Sequence, residues 1–171
     1  MSAADTPSYA RTRRLFLRTL GLVYLAAFLS LRWQIVGLVG RDGVLPAADF
    51  LARAGTVLGA HAAWRVPSLL WLDVSDWALH GACVAGIASS VLLVIGLAPL
   101  AMLGVLWVLY LSLVGVGQQF LSYQWDSLLL ETGFLAIFWA PLGWRLDAAT
   151  ARAPSPVLLW LLRAATRPGG T

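Results

Sequence analysis

Two apolar runs, Trp77–Leu97 and Pro99–Gly117, are separated by a single residue, and they constrain this chain more than any other feature. Each has about the 20 residues that a helix needs to cross a bilayer. With Ala98 alone between them, they can only form a tight antiparallel hairpin. Pro99 suits the first helical position, where its missing N–H would find no intrahelical partner anyway. A further apolar run, "LFLRTLGLVYLAAFLSL" at Leu15–Leu31, precedes the hairpin, and another, Tyr123–Leu142, follows it. The first is short for a span, but Arg18 can snorkel and the apolar pattern resumes at Ile35–Val39.

Composition agrees with lipid exposure. Sixty per cent of residues are hydrophobic and 12% are charged, against about a quarter charged in a soluble domain. So large an apolar excess cannot be hidden in one small globule. The net charge of +4 comes from arginine, since the chain has no lysine. These arginines flank apolar runs, the pattern of a membrane protein, and no nucleic-acid motif accompanies them. The fold class expected is all-α: a polytopic membrane bundle of about four transmembrane helices. Residues 1–14 form a cytoplasmic N-terminal segment, 15–145 the membrane domain and 146–171 a C-terminal tail. Arg11, Arg13, Arg14 and Arg18 lie before or within the first helix, and Arg145, Arg152, Arg163 and Arg167 follow the fourth. The positive-inside rule then puts both ends in the cytoplasm.

The long first loop carries order of its own. In "PAADFLARAGTVLG", Phe50, Leu51, Ala54, Val57 and Leu58 share a helical face. Asp49 and Arg53 form an i,i+4 pair on the other. Trp64 and Trp71 flank a short apolar patch further on. These pieces either lie on the bilayer as interfacial segments or pack on the helices as a lid. Two stripes of small residues, Ala82/Gly86/Ser90 and Thr132/Ala136/Ala140, give smooth faces for close helix approach.

Few residues could carry chemistry. His80, about one turn into its helix, is a proton carrier or, more simply, a hydrogen-bonded interfacial residue. Cys83 reads as a small packing residue, and His80 with Cys83 at i,i+3 is too little for a metal site. The fourth helix, "FLSYQWDSLLLETGF", is the polar one. Gln124, Ser127 and Glu131 share one face, and Asp126 lies well round from Glu131. A bare carboxylate deep in lipid costs roughly 2.5 kcal/mol or more. Asp126 sits where a carboxylate caps a helix start. Glu131, the chain's only glutamate, is expected to face inward as helix–helix glue or as part of a functional pocket. No cofactor site and no nucleophile–base pair is legible.

The stretch "GQQFLSYQWDSLLLETGFLAIFWAP" (117–141) closely resembles the central motif of the lipase maturation factor family. "YLAAFLSLRWQIVGLVGRDGVLP" (24–46) resembles that family's first membrane helix and following loop. Gln124, Trp125, Asp126 and Glu131 are the rare residue types that carry the match. The resemblance implies a non-catalytic membrane protein that helps secreted lipases, or other exported clients, reach their folded form. In eukaryotes it implies the endoplasmic reticulum membrane. This Arg- and Ala-rich chain looks like a bacterial relative, for which the cytoplasmic membrane is expected. The family's further helices and large soluble domain are not seen here, so the chain reads as an N-terminal part. Two other classes compete. One is a membrane enzyme of vitamin K-dependent carboxylase-like architecture, with His80, Asp126 and Glu131 in one cavity. The other is a small proton-coupled transporter with Glu131 as its ion site.

Overall fold

The computed structural model describes residues 6–146 apart from 142, with side chains from Arg11 onward. The expected tail therefore lies outside the described residues. In order, the chain forms α1 (Thr6–Val39), α2 (Ala47–Leu58), a short α3 (Ala62–Arg65), α4 (Asp76–Ile95), α5 (Pro99–Gly117) and α6 (Gln124–Trp139), with single 3₁₀ turns between some of them. No strand occurs among the described residues.

The first apolar run and its resumption merge into one helix. Nothing between Leu31 and Ile35 breaks helical geometry, so α1 runs 34 residues, roughly 50 Å at 1.5 Å per residue. Among the described residues, three stretches are long and apolar enough to cross a membrane: Arg11–Val39, Asp76–Ile95 and Pro99–Leu121. The expected fourth span is shorter. Pro141 forces the residue before it into an extended conformation, and Ala140 accordingly sits at φ −67°, ψ 143°. That stops α6 at 16 residues, about 24 Å, below the roughly 30 Å hydrocarbon thickness.

Local chemistry fixes the remaining boundaries. Ser75 caps α4 by accepting the Ala78 N–H at 3.2 Å. Gly96, at φ 91°, closes it in the left-handed conformation that glycine adopts without a Cβ penalty. Its N–H reaches the Leu92 and Leu93 carbonyls, while the Leu97 N–H returns to Leu92, the Schellman arrangement. Pro99 is the first residue of α5, as its position suggests. Residues 144–146 then lie across this hairpin: the Ala98 N–H donates to Trp144 (2.8 Å) and the Leu146 N–H to Gly96 (2.9 Å).

The long helices alternate in direction. Gly21 lies against Leu93 and Val94, and Gly86 lies against Phe28, so α1 and α4 are antiparallel. Phe16 meets Trp139 at 5.2 Å between ring centroids, while Tyr24 reaches Leu129, so α1 and α6 are antiparallel too. The core at the centre of this bundle includes Leu17, Tyr24, Phe28, Leu79, Cys83, Leu93, Leu103, Leu106 and Leu113, all fully buried. Exposed tryptophan and tyrosine side chains of the bundle collect near the helix ends. Trp33, Trp77, Tyr123 and Trp125 lie at one end and Trp144 at the other, the usual place for Trp and Tyr at a membrane interface. Roughly 30 Å of α1 separates Arg14 from Trp33, which matches one hydrocarbon thickness.

The first loop packs as a lid over the Trp33 end. α2 buries Ala47 and Leu51, Leu70 is buried, and Gln118 Nε2 donates to the Leu45 carbonyl at 3.2 Å. Ser112 ties the loop to α5: its hydroxyl accepts the Leu69 N–H and its carbonyl accepts the Ser68 hydroxyl, both at 3.0 Å. Val57 and Trp64 stay exposed, as side chains of an interfacial segment do. One pairing departs from expectation. Arg53 donates to the Asp49 backbone carbonyl instead of pairing with its carboxylate, because that carbonyl lies directly one turn below.

The small-residue stripe on α4 works as anticipated at Gly86, whose face is filled by the Phe28 ring. A Cβ at Gly86 would enter that ring, whereas one at Gly81 on the same helix would meet nothing within 4 Å. Gly86→Ala is therefore expected to destabilise the bundle by about 1–3 kcal/mol, as overpacking typically does. Gly81→Ala should be neutral or slightly stabilising. Thermal unfolding of the two variants in the same detergent checks the contrast.

Candidate functional site

Three polar residues of the core, Tyr24, Tyr110 and Asp126, meet where α1, α5 and α6 converge. Asp126, only 5% exposed, stands on the first turn of α6. It does not cap the helix. Tyr123 occupies the cap position, and no side chain bonds there. The Asp126 carboxylate instead turns into the bundle, where its Oδ1 accepts the Tyr110 hydroxyl of α5 at 2.5 Å. Helical geometry accounts for the difference: a third-position side chain projects sideways rather than along the axis, and here that direction is the core. The carboxylate still lies close to the positive end of the α6 dipole, which favours its charge.

Tyr24, fully buried on α1, donates its hydroxyl to the Leu129 carbonyl of α6 at 3.2 Å. The Tyr24 and Tyr110 rings pack edge to face at 5.8 Å, and Phe28 joins Tyr110 in the same way at 5.6 Å. Gly133 lets this happen: a Cβ there would strike the Tyr24 hydroxyl. From the outer side, Trp107 of α5 donates its indole N–H to the Leu130 carbonyl at 3.0 Å. α6 is thus held by three hydrogen-bonding aromatic residues, two on α5 and one on α1. Away from water such bonds have no aqueous competitor. Asp126 Oδ2 is buried without a hydrogen-bond partner among the described residues.

The other expected site residues do not join this cluster. Glu131 is exposed on the outer face of α6, in line with Gln124 and Ser127. It is not the inward-facing contact expected of it. The reason lies on the opposite face, where Leu129, Gly133 and Ala136 supply the buried contacts of α6. A glutamate at 131 falls outside that stripe by helical period. Trp125 is exposed, stacks on Tyr123 at 5.2 Å and helps to line a shallow groove of about 300 Å³ between α1 and α6. His80 is half-buried on α4, with its Nδ1 unpartnered among the described residues. Cys83 is a fully buried packing residue.

Asp126 therefore points into the core, Glu131 lies on the outer face of α6 and His80 is half-buried on α4, so the two carboxylates are not brought together. Among the described residues, no three His, Cys, Asp or Glu side chains gather as metal ligands. Tyr24, Tyr110, Trp107 and Gly133 were missed by the sequence reading. The signal was there: a tyrosine in the middle of an apolar run, as in "GLVYLAAF" and "WVLYLSL", must find an acceptor for its hydroxyl at that depth.

A helical bundle of membrane-spanning length, with Tyr24, Trp107 and Tyr110 each bonded to a neighbouring helix, defines a polytopic membrane protein with a structural polar centre. Comparison with known proteins gives it a family. The model of the lipase maturation factor transmembrane domain matches residues 11–166, and the chain belongs to the lipase maturation factor family. It is 46% identical over 168 residues to lipase maturation factor 2 of Gallus gallus, covering 90% of this chain and 22% of that protein. It is 40% identical over 163 residues to lipase maturation factor 1 of Bos taurus, covering 89% of this chain and 28% of the relative. With lipase maturation factor 1 of Homo sapiens it shares 37% over 169 residues, 92% of this chain and 29% of the relative. The chain thus spans less than a third of the length of these relatives. No solved structure matches it. Members of the family are maturation factors and not known enzymes.

If the Tyr110–Asp126 bond holds α6 in place, Tyr110→Phe should lower stability by about 1–3 kcal/mol, the usual range for orphaning a buried polar group. In a cycle with Asp126→Asn, the coupling should fall between roughly 0.5 and 2 kcal/mol, as for interhelical hydrogen bonds in membranes. Equilibrium unfolding in mixed micelles measures both.

Proposed function

We propose that this chain serves as the membrane domain of a maturation factor that assists the folding of secreted lipases or other exported clients, without catalysing a reaction itself. The match of 11–166 to the family's transmembrane domain is the observation that carries this reading. The arrangement of the core agrees with it. The buried polar groups of α5 and α6 bond to each other, as parts of a scaffold do, rather than converging on an open cavity.

The proposed location is a bacterial cytoplasmic membrane, with the arginine-bearing start of α1 on the cytoplasmic side. That orientation follows from the positive-inside rule applied to Arg11, Arg13 and Arg14. The α2 lid then lies on the outer face, where exported clients fold. It presents the exposed side chains of Val57, Trp64 and Leu72 there.

Deleting the gene should leave the amount of secreted lipase protein nearly unchanged while lowering its specific activity. A mutant with normal specific activity would remove lipases from the client list. The orientation has its own check. With Cys83 replaced by alanine, a cysteine at exposed Ala60 should react with a membrane-impermeant maleimide in intact cells. A cysteine at Arg11 should react only after lysis. The reverse pattern would invert the topology.

A further inference from the structure

Glu131 poses a problem that the bundle itself does not solve. It sits about 11 Å from either end of α6, on the outer face. Exposed Leu128, Phe134, Leu135 and Phe138 surround it. Among the described residues its carboxylate has no hydrogen-bond or ionic partner. A carboxylate facing hydrocarbon at this depth is unfavourable by roughly 2.5 kcal/mol or more.

The described arginines do not reach it. Phe16 meets Trp139, and Tyr24 meets Leu129 and Gly133, so Glu131 lies level with Tyr24. Arg18 is then about 9 Å nearer the N-terminal end of α1, and Arg11, Arg13 and Arg14 are further still. On the other side Arg32 is about 12 Å away along the same axis, Arg41, Arg53 and Arg65 lie in the loop beyond α1, and Arg145 lies past the end of α6.

We propose that the outer face of α6 is a docking surface for a separate membrane-spanning helix that presents a basic side chain to Glu131. The chemistry selects this occupant. A guanidinium or ammonium group offsets a lipid-facing carboxylate more fully than a neutral donor does, through a shorter, charge-assisted bond. The rest of the face fits a helix rather than a lone ion. Ser127 and Gln124 continue the polar row toward the Tyr123 end, about one and two turns from Glu131. Leu135 and Phe138 continue it as an apolar strip toward the other end. Leu128 forms both one edge of this face and one wall of the groove between α1 and α6, so a helix lying along α6 can set side chains into that groove. Neither Glu131 nor Leu135 is part of the buried stripe that holds α6 to the bundle, so the face can be altered without disturbing the fold. The proposal does not rest on the maturation role: it concerns what covers α6, whatever the client.

The test uses the full chain in phosphatidylcholine vesicles with two synthetic membrane-spanning probes. One is a leucine–alanine helix with a single central arginine, and the other is the same helix with leucine at that position. Förster transfer from the labelled chain should report the arginine probe binding about tenfold more tightly than the leucine probe. Glu131→Gln should abolish that preference, and Leu135→Trp, which leaves the carboxylate in place, should weaken binding of the arginine probe. Thermal unfolding of both variants should match that of the parent chain. Equal binding of the two probes, or a preference that survives Glu131→Gln, overturns the proposal. Transfer between two labelled copies that is lost in Glu131→Gln, with no binding of either probe, also overturns it and gives the face to a second copy of this chain.

Discussion

The hydrogen bond from Tyr110 to Asp126 is the contact on which the arrangement of this bundle turns. α6 is too short to span the hydrocarbon comfortably and carries two carboxylates, so apolar packing alone places it poorly. The Tyr110 hydroxyl gives one of those carboxylates a partner inside the core. Once Asp126 points inward, helical period dictates the rest. Leu129, Gly133 and Ala136 follow it into the core, and Gln124, Ser127 and Glu131 are carried to the outside. The inward carboxylate and the outward one are thus consequences of a single rotation of α6 about its axis.

Tyr24 and Phe28 reinforce that rotation from α1. Each occupies a space left by a glycine, Gly133 for the Tyr24 hydroxyl and Gly86 for the Phe28 ring. With no hydrophobic driving force between helices in lipid, close packing and interhelical hydrogen bonds have to supply the association energy. Both are concentrated in one layer here: the two glycines, the three aromatic rings of Tyr24, Phe28 and Tyr110, and Asp126. Small residues and aromatic residues are complementary across it, the Tyr24 and Phe28 rings of α1 each facing a missing side chain on another helix.

The fold was largely legible in the sequence. The apolar runs gave the long helices, Pro99 gave the hairpin, and the 117–141 motif gave the family. Periodicity also found the polar row of Gln124, Ser127 and Glu131. What it could not supply was the direction in which that row points, because apolar residues surround α6 on every side and a lipid-facing stripe reads like a core-facing one. Glu131 was assigned inward for that reason and Asp126 to a cap. The distinction required knowing that Tyr110, sixteen residues earlier, arrives beside Asp126. The end of α6 was mislaid on a smaller point: Pro141 was read through, although its effect on Ala140 is local and predictable.

The short α6 has a consequence for how the bundle is made. α1, α4 and α5 are apolar enough to enter a bilayer independently, and α4 and α5 do so as a hairpin closed by Gly96 and Pro99. α6, with Asp126 and Glu131 in 16 residues, is the weakest inserter of the set. Its favoured route is to follow the hairpin, when Tyr110 is already at depth to receive the aspartate and residues 144–146 can close over Gly96. On that route the order of α1, α4, α5 and α6 in the sequence is also their order of insertion, with α6 entering after the groups that accept it.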